Sequence, residues 1–220
     1  MWFWRREQRV AGRSDIQQLA GLVLAGGRSH RMGEDKGALI YGNSGVPQVR
    51  FALDCLTRVC GSAWVSVNAD QVDAPLYTDL PTIVDVGKDQ GPAGGLLSAF
   101  RFRPDTAWLV LAVDMPRVSV GLLSNLVAAR DASRIATVHR HADGTIEPLC
   151  AIWEAHAREL IVRELDSGRG SLRALAEERD AAVAQLPEPD RIRNANTPAE
   201  RSVMQQRLDA DSDDPSGIGR

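Results

Sequence analysis

The stretch AWLVLAVD, residues 107–114, is apolar without interruption until Asp114. A strand with two apolar faces needs cover on both, which in a water-soluble chain means a sheet buried between layers of helices. The flanking sequence supplies the parts. GLVLA (21–25) is a second apolar run, ending at Gly26-Gly27; AWVSVNA (63–69) alternates and ends at Asn68; PTIVD (81–85) is a short strand ending in Asp85. Between them lie helical patterns. VPQVRFALDCLTRVC (46–60) places Val46, Val49, Leu53, Leu56 and Cys60 at helical spacing. PAGGLLSAFRF (92–102) carries Pro92 at its first position, where the missing N–H is no loss, and SVGLLSNLVAAR (119–130) has Ser119 as N-cap. Strand–helix alternation of this kind predicts an α/β, three-layer αβα fold around a mostly parallel sheet.

The second half continues the pattern less regularly. RIATVHR and IEPLCAIW read as strands joined across HADGT, whose Asp-Gly marks a hairpin. EAHARELIVRELDSG (154–168) is an amphipathic helix stopped at Gly168. TPAE (197–200) is a capping box in which Glu200 reaches back to Thr197, opening a last helix to about Leu208. One folded domain over 19–208 follows, with an N-terminal extension at 1–18 and a disordered acidic tail at 209–220. The net charge of −3 argues against a general nucleic-acid surface while leaving room for a local cationic pocket. Three cysteines without a CxxC pair read as buried thiols of a reducing cytoplasm. No apolar run reaches the ~20 residues of a membrane span, and MWFWRREQRV lacks the layout of a secretory signal.

In a parallel α/β sheet, ligands sit beyond the carboxyl ends of the strands. Here those ends are Gly26-Gly27, Asn68, Asp85 and Asp114. Each alone is an ordinary strand terminus; together they mark one edge. In GLVLAGGRSHRMGEDKG the glycines let backbone N–H groups form a concave anion site. Arg31 and Lys36 add cations suited to phosphate. The spacing matches neither GxGxxG nor GxxxxGK[ST]. Asp114 is placed to hold Mg²⁺ shared with substrate phosphates, and DVGKDQGPAGG leads into a helix N-terminus able to take an anion or a base edge. His139 and His141 alternate on their strand, and Asn194 and Asn196 read by themselves as a loop before a capped helix.

LAGGRSHRMGEDK resembles the LAGGxSxRMGxDK signature of a nucleotidyltransferase family, and DQGPAGGLLSAF, VDMP, EPLCAIW and NANTPAE follow in the order of the molybdenum cofactor guanylyltransferases. The resemblance spans about 19–208. It implies a Rossmann-like fold that transfers GMP from Mg²⁺-bound GTP to the terminal phosphate of molybdopterin, giving molybdopterin guanine dinucleotide and pyrophosphate. By the same resemblance, Leu24, Ala25, Gly26 and Gly27 form the nucleotide loop. Lys36 binds phosphate with Arg31, Asn68 and Asp85 contact the guanine nucleotide, and Asp114 holds the metal and contacts the nucleotide. Asn194 and Asn196 fall where the family contacts its pterin or supports the metal. Lys36, Arg31 and Asp114 are then the catalytic set. The implied partners are GTP, molybdopterin, other molybdenum cofactor biosynthesis proteins and molybdoenzyme chaperones. Rival readings are a cytidylyltransferase for the same cofactor, against which AGG rather than AAG speaks, a sugar-phosphate nucleotidyltransferase, and a non-catalytic nucleotide-binding regulator, against which Lys36 and Asp114 speak. The acceptor needs no protein base, because a phosphate monoester with a second pKa of about 6 is already largely dianionic at neutral pH.

Overall fold

In a computed structural model of the chain, residues 18–26, 35–42, 45–87, 89–141, 143–185 and 189–213 are described. Among them, seven strands form one sheet: β1 (Leu19–Leu24), β2 (Ala63–Val67), β3 (Thr82–Val84), β4 (Ala107–Ala112), β5 (Ala136–Arg140), β6 (Ile146–Trp153) and β7 (Ala182–Ala184). Their order is β3-β2-β1-β4-β6-β5-β7. β1 pairs in parallel with both β2 and β4, and β2 with β3, whereas β6 runs antiparallel to β4 and β5. The chain builds outward from β1 to β3, then crosses back to lay β4 on the other side of β1. The β1/β4 boundary is therefore the point where the strand order reverses.

The six residues of β4 are all buried, and their alternation shows why both faces had to be apolar. Leu109 and Leu111 enter a core with Val49, Ala52 and Leu56 of α1 (Gln48–Cys60) and Leu123 and Leu126 of α3 (Val120–Ala128). Trp108 and Val110 enter the opposite core with Leu96 and Phe100 of α2 (Gly91–Phe102), Ile161 of α4 (Arg158–Asp166) and Leu175 of α5 (Leu172–Glu178). The helix caps follow the sequence: Ser119 accepts from the Leu122 amide, and Pro92 sits in the first turn of α2.

Some boundaries differ from expectation. The stretch predicted as one helix over 154–168 begins with a 3-10 turn at Ala155–Ala157, and only Arg158–Asp166 is α-helical. α5 and β7 have no counterpart among the elements that the sequence pattern predicts. The last helix, α6 (Pro198–Asp213), runs beyond Leu208. Cys55, Cys60 and Cys150 are unpaired, and burial pushes the first two thiols up to about 11 and about 12. His139 is fully buried on β5, and desolvation lowers its pKa. His141 lies in the hairpin turn with Nε2 3.4 Å from Glu147 Oε2. Residues 1–17 and 214–220 lie outside the described residues. Also among the described residues, no helix is long and apolar enough to cross a membrane.

Candidate active site

Because β1 to β4 all run the same way, Gly26, Asn68, Asp85 and Asp114 emerge on one edge of the sheet. Three of them converge directly. Gly26, Asn68 and Asp85 line a cavity of about 580 Å³, whose floor continues through Gln90, Gly91 and Gly94 at the start of α2. A Cβ on Gly26 would lie 2.7 Å from Asp85 Oδ2 and 3.3 Å from Asn68 Oδ1. Only bare backbone fits there, which leaves the peptide itself facing the cavity. The first turn of α2 carries amides without intrahelical partners, so its partial positive charge falls on the same space. Across the cavity stand Leu165, Gly168 and Arg169. The Arg169 guanidinium is held by Glu164 through bonds of 2.6 and 3.1 Å.

Asp85 is electrostatically unusual. Its Oδ1 accepts from Ser66 Oγ at 2.5 Å. Burial raises its pKa from 3.8 to about 6, opposed in part by the Ser66 bond. Ser66 is fixed in turn by the close approach of α2, since a Cβ on Gly95 would come within 2.5 Å of Ser66 Oγ and 2.9 Å of Leu24 Cδ2. The glycines of GPAGG thus serve packing of the helix onto the strand ends as well as shaping the cavity.

A second cluster forms at the β1/β4 reversal. Lys36 opens a 3-10 turn, Lys36–Ala38, and its Nζ lies 3.0 Å from Asp114 Oδ2. The same ammonium donates to Asn196 Oδ1. Asn196 is presented by the capping box: Glu200 Oε2 accepts from the amides of Asn196 at 2.9 Å and Thr197 at 2.8 Å, and the Glu200 amide donates to Thr197 Oγ1 at 3.2 Å. Ala195 N donates to Asp114 O at 2.9 Å, tying this segment to the end of β4. Asn194 Oδ1 is buried without a hydrogen-bond partner.

The structure therefore gathers the predicted residues into two groups, Gly26–Asn68–Asp85 and Lys36–Asp114–Asn196, with Asn194 beside the second. Leu24 and Ala25 are buried behind Gly26 and act through their main chain: Leu24 O accepts from Val113 N at 3.2 Å. Gly27 and Arg31 lie outside the described residues. Sequence reasoning missed Ser66, which touches Asp85 from within β2, and Gln71 and Tyr77, which touch Asp35 from the turns after it; a serine inside a strand and residues of irregular turns carry no motif.

The donors suit a hard divalent cation. Asp114 offers one carboxylate, Asn196 an amide oxygen, and Asn194 an unsatisfied one. Among the described residues no cluster of three or more His, Cys, Asp or Glu side chains could form an all-protein cage. One carboxylate with amide oxygens is a donor set of the kind that hard divalent cations take.

An open sheet reversing at β1/β4, with a lysine–carboxylate pair at that point and a glycine-lined cavity alongside, is the arrangement of an α/β protein that takes its ligand beyond the carboxyl ends of its strands. A family model described as the MobA-like NTP transferase domain matches residues 21–183, and the chain belongs to that family. It is 33% identical over 198 residues to a probable molybdenum cofactor guanylyltransferase of Mycobacterium avium, covering 88% of this chain and 98% of the relative. It is 32% identical over 197 residues to the molybdenum cofactor biosynthesis bifunctional protein of Synechocystis sp., where the match covers 87% of this chain but 55% of the relative. The chain thus spans about half the length of that protein. Molybdopterin-guanine dinucleotide biosynthesis protein A from Archaeoglobus fulgidus shares the fold with a TM-score of 0.72 at 20% identity, over 87% of this chain and 99% of that one. A Mycobacterium tuberculosis protein solved in complex with manganese aligns with a TM-score of 0.63 at 20% identity, over 86% and 98%.

Proposed function

We propose that this nucleotidyltransferase transfers GMP from GTP to the terminal phosphate of molybdopterin in the cytoplasm. A phosphate oxygen of the acceptor bonds to the α-phosphorus of GTP, the α–β bridging bond breaks, and pyrophosphate leaves with its electron pair. The observation that carries this reading is the Lys36–Asp114 pair at the strand reversal, 3.0 Å apart and on the same edge as the cavity built by Gly26, Asn68 and Asp85.

Two anions must meet, so the protein's task is charge compensation and alignment. The Gly26 backbone and the start of α2 receive the nucleotide; Gly27 and Arg31 are assigned to it from the sequence alone. Asn68 and Asp85 face the nucleoside; the Asp85 carboxylate suits the donor edge of guanine, which presents N1–H and the 2-amino group. Lys36 exchanges its contact with Asp114 for triphosphate oxygen. Asp114, with Asn196 and Asn194 nearby, would hold Mg²⁺, which supplies Lewis-acid neutralisation of phosphate charge. Asn194 and Asn196 also border the acceptor's approach. The product would pass to molybdoenzymes through chaperones or other cofactor-biosynthesis proteins. Calorimetric titration with GTP, CTP, ATP and UTP, each with Mg²⁺, tests the reading. Selective GTP binding, followed by pyrophosphate release when molybdopterin is added, is expected. Preference for CTP would overturn the base assignment, and GTP binding without pyrophosphate release would overturn the acceptor.

A further inference from the structure

Lys36 stands on a single 3-10 turn of three residues, too short to hold itself in place. What fixes it is a buried hydrogen-bonded hub in the connection between β2 and β3. The N-cap of the turn, Asp35, accepts from the Gly37 amide at 2.8 Å through Oδ1. The hydroxyl of Tyr77 lies 2.9 Å from each oxygen of the same carboxylate. Gln71 Nε2 is 3.2 Å from Asp35 Oδ2 and 3.4 Å from both Ala25 O and Tyr77 Oη. Gln71 Oε1 accepts from the Asn68 amide at 3.0 Å. Tyr77 and Gln71 are each 1% exposed. The turn is pressed against this hub, for a Cβ on Gly37 would meet Tyr77 Oη at 2.7 Å and Val49 Cβ at 3.3 Å.

We infer that Tyr77 is a positioning residue for Lys36, and that the Tyr77–Asp35–Gln71 hub ties the lysine's turn to the ends of β1 and β2. The physical need is specific. Lys36 must let go of Asp114 and Asn196 to meet phosphate, so its ammonium moves while its backbone must not. A hydroxyl donating to an ionised carboxylate is among the stronger hydrogen bonds, and burial beside Asp35 raises the Tyr77 pKa so that it remains a donor. Gln71 extends the restraint to Ala25 and Asn68. The two halves of the site, nucleoside and phosphate, are thereby referenced to one point. Neither Tyr77 nor Gln71 lines the cavity, so their effect reaches the nucleotide only through the residues they hold.

Two measurements test this, and the second rests on the nucleotide-binding reading above. The chain contains only two lysines, Lys36 and Lys88. Protein labelled with ¹³C-lysine therefore gives two side-chain Cε signals, assigned with Lys36→Arg. In the apo protein, Tyr77→Phe is expected to shift the Lys36 signal toward that of a free lysine and leave Lys88 unmoved; an unmoved Lys36 signal overturns the inference. Next, Mg²⁺–GTP affinity is measured for wild type, Tyr77→Phe, Lys36→Ala and the double variant. Tyr77→Phe should weaken binding about tenfold, in line with loss of one hydrogen bond to a charged group. In the Lys36→Ala background it should change affinity by less than about twofold. Equal losses in both backgrounds would show that Tyr77 supports the fold generally and overturn the positioning role, as would unaltered affinity in Tyr77→Phe. If wild type binds no nucleotide, the functional reading falls while the lysine signals still decide the role of Tyr77.

Discussion

Replacing Asp85 with asparagine should stabilise the apo protein while impairing its binding of nucleotide. The introduced amide keeps the acceptor for Ser66 Oγ and the shape of the side chain, but removes the charge. The folded-state pKa stands at about 6 against an ordinary 3.8, with burial the largest cause. A displacement of about 2 corresponds to about 3 kcal/mol at 1.36 kcal/mol per pKa unit, and partial exposure at the cavity reduces this to about 2 kcal/mol. The sign follows from which state holds the proton. Below about pH 4 the carboxyl is neutral in both states and Asp85 has no penalty. Between about pH 4 and pH 6 the folded protein keeps a proton that the unfolded chain has lost, so stability falls as pH rises. Above about pH 6 the full penalty of burying the anion remains. The wild type should thus be less stable than Asp85→Asn at pH 8, with the gap closing near pH 4. For a domain of this size, about 2 kcal/mol raises Tm by about 4–8 °C. Thermal unfolding followed by circular dichroism at pH 4 and pH 8, on both proteins, measures it. An equal or lower Tm for the variant at pH 8, or a gap independent of pH, would refute the reasoning.

Lys36→Ala and Asp114→Ala should each lower pyrophosphate release by at least about 100-fold; wild-type turnover in either variant removes its assigned role. Gly95→Ala should lower Tm despite alanine's better helix propensity. Its methyl group would have to displace Ser66 and Leu24, a strain of about 1–3 kcal/mol, and a rise in Tm would contradict the packing argument. Glu200→Ala should raise the KM for the acceptor more than that for GTP, because it frees Asn196 and leaves the cavity intact. In wild type the same loosening should appear only at a pH below the usual glutamate range, since the Thr197 and Asn196 amides hold the Glu200 carboxyl down; an unchanged acceptor KM in the variant would separate Asn196 from the acceptor.

The strand ends were legible because the physics that buries β4 is local. A run apolar on both faces admits only a covered strand, and the first polar residue after it marks the emerging edge. The parallel arrangement of β1 to β4 then put Gly26, Asn68, Asp85 and Asp114 where alternation predicted. The short pieces were not legible. β7 is three residues, Ala182–Ala184, held by pairing with β5 rather than by its own pattern. α5 shows only two turns of Leu172, Leu175 and Ala176. The contact of Lys36 with Asn196 depends on where the capping box delivers its loop, which periodicity does not encode. The hub at Asp35, Gln71 and Tyr77 joins residues from two irregular segments, and only the fold brings them into range.

The Lys36–Asp114–Asn196 contact also bears on the order in which the protein is made. Translation delivers Lys36 early, Asp114 midway and Asn196 near the end, whereas the last strand of the sheet is finished at Ala184. A ribosome-bound chain can therefore complete every strand of the sheet while its lysine still lacks one of the two groups that receive it. The capping box that presents Asn196 forms only once Glu200 has been added, so the site is assembled after the scaffold. A chain ending just past β7 has every strand of the described sheet, but its Lys36 ammonium has no amide oxygen to steer it.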